Sequence, residues 1–108
     1  MKLSKSIIKR IAEVQTIIDK AKKDEISAIE VDSTWETVYE FDKIELLKTR
    51  LNIHYMEWNG RAPEKKVDYI NIAADSKQDY QDTNWTLSWI KRCIKKGYKH
   101  NYNKPDKD

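Results

Sequence analysis

The sequence predicts a single α+β domain, in which N- and C-terminal helices pack on one face of a four-stranded, mainly antiparallel sheet. Its 108 residues fit one domain. Apolar residues recur at helical spacing near both ends, and short runs with strand-like alternation lie between them. The predicted order is α-β-β-(short α)-β-β-α over residues 1–97, followed by a flexible basic tail over 98–108. The short connections between strands favour antiparallel pairing.

The first helix is predicted over residues 4–23. Ser4 suits the N-cap position, and lysines in the last turn suit the negative end of the helix dipole. One apolar stripe marks the face that we expect to pack on the sheet. The stripe consists of Leu3, Ile7, Ile11, Val14, Ile18 and Ala21.

A β-hairpin is predicted from strands at 26–31 and 35–41, joined by polar turn residues at 32–34. The second strand alternates strictly between two faces. One face carries Trp35, Thr37, Tyr39 and Phe41, and the other carries Glu36, Val38 and Glu40. We therefore expect one buried and one solvated face.

The central segment is the most ambiguous part of the chain. Capping-box spacing from Asp42 to Glu45 predicts a short helix over 43–50, and continuation of the preceding strand is the alternative. Strands are predicted at 51–58 and 67–74, because both carry apolar side chains on both faces.

The last helix is predicted over about 83–96, capped by Asp82 or Thr83, after a polar loop at 75–82 in which Ser76 suits the start of a helical turn. Gly97 stands where a left-handed C-terminal cap belongs. The apolar arc that defines the inner face comprises Trp85, Leu87, Trp89, Ile90, Cys93 and Ile94.

Charge is strongly segregated along the chain. Residues 1–23 and 91–108 each carry a net charge of +5, whereas residues 24–90 carry −7. With the basic helices on one side of the sheet, we expect an acidic row on the other. This row would bind a basic protein that handles nucleic acid, although a solvated face that discourages aggregation is the alternative. The predicted row is Glu30, Asp32, Glu36 and Glu40.

The basic end of the last helix supports an alternative hypothesis, direct binding to nucleic acid. The excess of 17 lysines over four arginines is weak evidence for nucleic-acid binding. Lysine has AT-rich codons, as do isoleucine, asparagine and tyrosine, so an AT-rich genome explains the excess. Its candidate contacts are Lys91, Arg92, Lys95, Lys96 and Lys99. Among the four tryptophans, Trp58 beside the predicted Asn59-Gly60 turn is the candidate for a partly exposed partner contact, and Trp35, Trp85 and Trp89 suit the core.

No recognisable catalytic motif is present, so we expect no catalytic residue, metal site or cofactor. Cys93 lies on the apolar arc and suits a buried small hydrophobe. Two glycines are too few for a glycine-lined phosphate cradle. A metal-dependent nuclease using Asp68, Asp75 and Lys77 is a third hypothesis, because such enzymes place an acid-x-lysine pair at a strand end.

The element order resembles that of double-stranded-RNA-binding domains, α-β-β-β-α. That family contacts RNA through lysines at the start of its second helix, where this sequence has Asp82-Thr83-Asn84-Trp85.

In its short length and AT-biased, glycine-poor composition the chain looks like phage accessory proteins, anti-CRISPR inhibitors among them. That likeness implies a non-enzymatic inhibitor of host nucleic-acid-handling or defence machinery.

A single cysteine and the lack of a membrane-length apolar run predict a cytoplasmic protein that does not bind membranes.

Overall fold

The computed structural model describes residues 5–32, 35–58, 60, 62–74 and 76–99. The chain forms a single α+β domain with a helix near each end, as predicted, but the sheet has five strands instead of four. The elements are α1 (Lys5–Lys23), β1 (Ile26–Asp32), β2 (Trp35–Leu46), β3 (Arg50–Trp58), β4 (Glu64–Asn71), α2 (Lys77–Lys95) and β5 (Tyr98–Lys99).

The sheet has the order β4-β3-β2-β1-β5, and every neighbouring pair is antiparallel. The fifth strand lies in the segment predicted as a tail, of which residues 100–108 fall outside the described part. Ile26 pairs with Lys99 and Ser27 with Tyr98. Because β1 follows α1 and β5 follows α2, this pairing brings the C-terminal ends of the two helices together. Arg10 donates a hydrogen bond to Asn84 near their N-terminal ends, so the helices run parallel.

The core lies between the two helices and one face of the sheet. The predicted stripe of α1 is confirmed from Ile7 to Ala21, and α2 contributes Leu87, Ile90 and Cys93. The central strands supply the other half of the core, and Leu51 and Ile53 are fully buried there.

A cluster of four aromatic rings places α2 on the sheet. The Trp89 ring lies with its centroid 5.2 Å from those of Tyr39 and Phe41 and 6.3 Å from that of Tyr55. All three contacts are edge-to-face, the favoured geometry for aromatic pairs. The cluster therefore defines which side of β2 and β3 the helices cover.

The short helix predicted over 43–50 is wrong, and the alternative strand continuation is right. β2 runs to Leu46, with a register shift between Phe41 and Lys43. Ile44 and Leu46 pair with Ile53 and Leu51 of β3. Local capping signals compete poorly with a long cross-strand ladder, because burial of paired apolar side chains stabilises the strand.

Two element boundaries also differ from the prediction. α2 begins at Lys77, because Ser76 and Asp79 form a complete capping box: the Asp79 amide donates to Ser76 Oγ at 3.1 Å and the Ser76 amide to Asp79 Oδ2 at 3.4 Å. The predicted loop at 75–82 is therefore mostly helix. The fourth strand spans Glu64–Asn71 instead of residues 67–74.

The edge of β2 beyond Tyr39 is covered by α1 instead of by a strand. In the described part of the chain, β1 pairs with β2 only over residues 35–39. Gln15 of α1 accepts a hydrogen bond from the Ile44 amide at 2.7 Å, and its own amide donates to the Asp42 carbonyl at 3.4 Å. This side chain satisfies backbone groups that an open edge would leave unpaired.

Gly97 is required for a close approach of two backbone segments, and not for a left-handed cap as the sequence suggested. Of the two glycines, Gly60 has a positive φ and Gly97 does not. The C-cap of α2 is Lys96, which has a right-handed helical conformation. A Cβ atom on Gly97 would lie 2.1 Å from the carbonyl oxygen of Ser27. Only glycine lets β5 reach β1 directly after the helix.

Replacement of Gly97 by alanine should destabilise the fold, because the new methyl group must displace the backbone of β1. We expect the free energy of unfolding in urea to fall by about 1–3 kcal/mol. Lys96→Ala is the matched control, since Lys96 is exposed and adjacent; its change should stay within about 0.5 kcal/mol. Equal stabilities of the two variants would contradict the close approach.

Removal of the Gln15 side chain should destabilise the fold by leaving the Ile44 amide without its acceptor. Gln15→Ala is expected to lower the free energy of unfolding by about 1–2 kcal/mol. Thr16→Ala is the control one position along the same helix, where the side chain is exposed and, among the described residues, hydrogen-bonds to the Ala12 carbonyl of its own helix. If both variants unfold at the same urea concentration, the Gln15 contact does not stabilise the edge.

Candidate functional site

The strongest candidate site is the face of the sheet opposite the helices, called here the open face. Cross-strand pairing aligns Ile29, Val38 and Trp58 in one row across β1, β2 and β3. Val38 precedes Tyr39, which packs against Trp89, so alternation directs Val38 and its row away from the helices. The row is therefore an apolar band on the uncovered side.

Apolar side chains on neighbouring strands widen this band. Val31 is 55% exposed and Val67 is 39% exposed. Met56 and the three residues of the row are half-buried, although both helices pack on the other side of the sheet. Side chains that shield one another in this way form a contiguous apolar patch, and such patches are typical of interaction sites.

Two carboxylates border the patch on β2. Glu36 and Glu40 lie two residues to either side of Val38, so they share its face. Glu36 is exposed and Glu40 is half-buried. Lys65 lies opposite Met56 on β4 and is exposed. The open face thus has an apolar row with one carboxylate on either side of it along β2, and a basic residue on β4 across Met56 from Glu40.

The predicted acidic row is only partly correct, because its members lie on two faces. Glu30 pairs with Thr37, which places it on the helix side of the sheet. There its carboxylate accepts a hydrogen bond from the Tyr39 hydroxyl at 3.1 Å. The side chain of Asp32 lies outside the described part of the structure. The alternation of each strand was readable from the sequence, but the register that relates β1 to β2 was not.

Two of the four tryptophans differ from expectation. Trp58 is half-buried within the apolar row, and Trp89 is in the aromatic cluster. Trp35 and Trp85, which were expected in the core, are 57% and 74% exposed. Trp85 lies five residues from the buried Ile90, which turns it about 140° away from that residue around the helix. Trp35 begins β2 and shares the helix side of the sheet by alternation.

A polar cluster occupies the far end of the open face. His54 Nε2 lies 2.9 Å from Glu45 Oε1, and Asn52 donates to the same oxygen at 3.4 Å. These hydrogen bonds, that of His54 first, hold the pKa of Glu45 below its ordinary value. Asn52 Oδ1 is buried with no hydrogen-bond partner in the described residues. The sequence did not reveal this cluster, because Glu45 was assigned to a helix.

The basic residues of α2 converge with those of α1 at one end of the molecule. The five predicted contacts, Lys91, Arg92, Lys95, Lys96 and Lys99, are all exposed. The pairing of β1 with β5 places the last turn of α1 beside them, with Lys20, Lys22 and Lys23. Lys20 and Lys22 form ion pairs with Asp24 and Asp42. For the other six, no ion pair is present within the described part of the chain.

The residues of the nuclease hypothesis are only partly described. Asp68 accepts a hydrogen bond from the Tyr55 hydroxyl at 3.0 Å, Lys77 begins α2, and Asp75 lies outside the described residues. Within the described ranges, no three His, Cys, Asp or Glu side chains are arranged to hold a metal ion. Cys93 is buried, and burial raises the pKa of its thiol to about 11, so the group is protonated at neutral pH.

Comparisons with family models, with curated proteins and with solved structures found no match to this chain. Among the described residues, no helix is long and apolar enough to cross a membrane.

Proposed function

We propose that this chain is a non-enzymatic binding protein whose open face docks on a protein partner. The observation that carries the proposal is the apolar row Ile29–Val38–Trp58, bordered by Glu36 and Glu40 and covered by neither helix. An apolar centre with a charged rim is the common arrangement of protein interfaces. A partner surface that fits it has apolar side chains within a ring of lysine and arginine.

The charge of this border indicates the class of partner. Surfaces that bind nucleic acid are rich in lysine and arginine, because they neutralise phosphates. Carboxylates beside an apolar anchor complement such a surface, speed association and set specificity. We therefore favour a cytoplasmic partner that handles nucleic acid, and a role as an inhibitor of host machinery, as in phage accessory and anti-CRISPR-like proteins.

A photo-crosslinker placed on either face tests which side meets the partner. We expect benzoylphenylalanine at Val31 to form an adduct in cells of the source organism, and the same group at Trp35 to form none. The two positions are a matched pair, because they are 55% and 57% exposed and lie on opposite faces. Equal adducts from both, or an adduct from Trp35 alone, would contradict docking through the open face.

The partner identified in this way then allows a test of the acidic border. Glu36→Gln with Glu40→Gln should slow association by about 3- to 10-fold at low salt and weaken its salt dependence. Glu13→Gln with Glu64→Gln is the control, since both side chains are exposed and neither lies on the open face. An unchanged rate for the first variant would show that the border does not steer binding.

A second candidate function is direct binding of nucleic acid at the shared end of the helices. It is favoured by the β1–β5 pairing, which joins two basic helix ends into one exposed surface. Lysines on such a surface neutralise phosphates without reading sequence.

Charge removal at this end provides the test of the second function. Lys23→Gln, Lys95→Gln and Lys96→Gln together should weaken binding to duplex DNA and reduce the slope of log K against log salt by about 2–3. Lys5→Gln, Lys9→Gln and Lys77→Gln remove the same charge from the opposite ends of the same helices and should change neither. Equal losses in both triple variants would show that binding is not localised at the basic end.

A further inference from the structure

The side of the sheet that carries the helices has a cleft of about 400 Å³, which is distinct from the open face and shares Arg92 with the basic end of α2. Its floor is formed by strand residues and its wall by one side of α2. The lining residues are Glu30, Asp68, Tyr69, Ile70, Trp85, Thr86, Trp89 and Arg92. The cleft thus combines two indole rings with two carboxylates from opposite parts of the sheet.

Both carboxylates are held in place by tyrosine hydroxyls. Tyr39 donates to Glu30 at 3.1 Å and Tyr55 to Asp68 at 3.0 Å. The two tyrosine rings are neighbours, with centroids 5.6 Å apart, and both contact Trp89. Burial and the adjacent carboxylates raise the pKa of both hydroxyls above the ordinary value, so they remain donors at physiological pH.

The wall of the cleft exposes an unusual amount of aromatic surface. Trp85 is 74% exposed, and Trp89 adds an indole that is half-buried. The face of an indole ring attracts a cation, and a planar guanidinium also stacks on it. Carboxylates beside such a ring supply the hydrogen-bond acceptors that a guanidinium requires.

We propose that this cleft binds an arginine side chain presented by a protein, with the guanidinium against Trp85 and Trp89 and hydrogen-bonded to Glu30 or Asp68. Arginine fits better than lysine, because it offers both a stacking plane and a fork of donors. The inference goes beyond the proposed docking of the open face and does not depend on it, because the cleft lies on the other side of the sheet.

Arg92 gives the proposal a distinctive consequence. Arg92 lines the same cleft and is an exposed residue. A like charge at this position opposes an incoming cation, so its removal should strengthen binding. A purely structural role of the cleft residues would not produce a gain of affinity.

The probe is a blocked pentapeptide, acetyl-Gly-Gly-Arg-Gly-Gly-amide, titrated into the folded protein. The shifts of the Trp85 and Trp89 indole N–H signals are followed by NMR, with a peptide that carries citrulline in place of arginine as the neutral control. We expect saturable shifts with a dissociation constant of about 1–10 mM for arginine and none for citrulline. Equal shifts with both peptides, or none up to about ten times that constant, would overturn the proposal.

Variants then locate the binding. Asp68→Asn retains an acceptor for Tyr55 and should weaken binding about tenfold, and Trp85→Ala about fivefold. Arg92→Gln should strengthen it about threefold, and Trp35→Ala, which removes an equally large exposed ring outside the cleft, should leave it unchanged. Weaker binding by Arg92→Gln, or unchanged binding by Trp85→Ala, would refute the assignment of this cleft to a cation.

Discussion

The contact of Trp89 with Tyr39, Phe41 and Tyr55 is the interaction on which the arrangement of surfaces depends. It places α2 on one side of β2 and β3, so the alternate residues of those strands are left on the uncovered side. The same contact brings the two tyrosine hydroxyls beside the edge of α2, where they bind Glu30 and Asp68. The packing of α2 on this side of the sheet therefore produces both the open face and the cleft.

The second constraint is the close passage of Gly97 over Ser27. It allows a two-residue strand to join the sheet directly after α2 and brings the ends of two helices together. Helix C-termini carry a partial negative charge, and lysines in the last turns of both helices complement it. The same lysines form an exposed basic end. Side chains that stabilise the two helix ends locally therefore also create a positive potential around this end of the molecule.

The three surfaces differ in the chemistry that they offer. The open face presents apolar area with carboxylates, and the cleft presents indoles with carboxylates. The basic end presents cationic side chains, of which Lys20 and Lys22 are ion-paired with Asp24 and Asp42. The carboxylates on both the open face and the cleft repel the phosphates of a nucleic acid. This chemistry supports the proposal that these two surfaces bind protein partners.

The periodic spacing of apolar residues alone determined much of this protein's secondary structure and its fold class. The buried stripe of α1, the alternation of β2 and the α+β class follow from apolar spacing, because burial imposes a period on each element separately. Tertiary structure decided what local spacing does not encode. The register of β1 against β2 moved Glu30 from the predicted row to the cleft, and the ladder with β3 converted a predicted helix into the end of β2. The side of α2 that packs on the sheet is the one that carries Leu87 and Ile90, which left Trp85 exposed. Each of these outcomes depends on which elements meet, since pairing and packing energies between distant segments exceed the local preferences that a sequence displays.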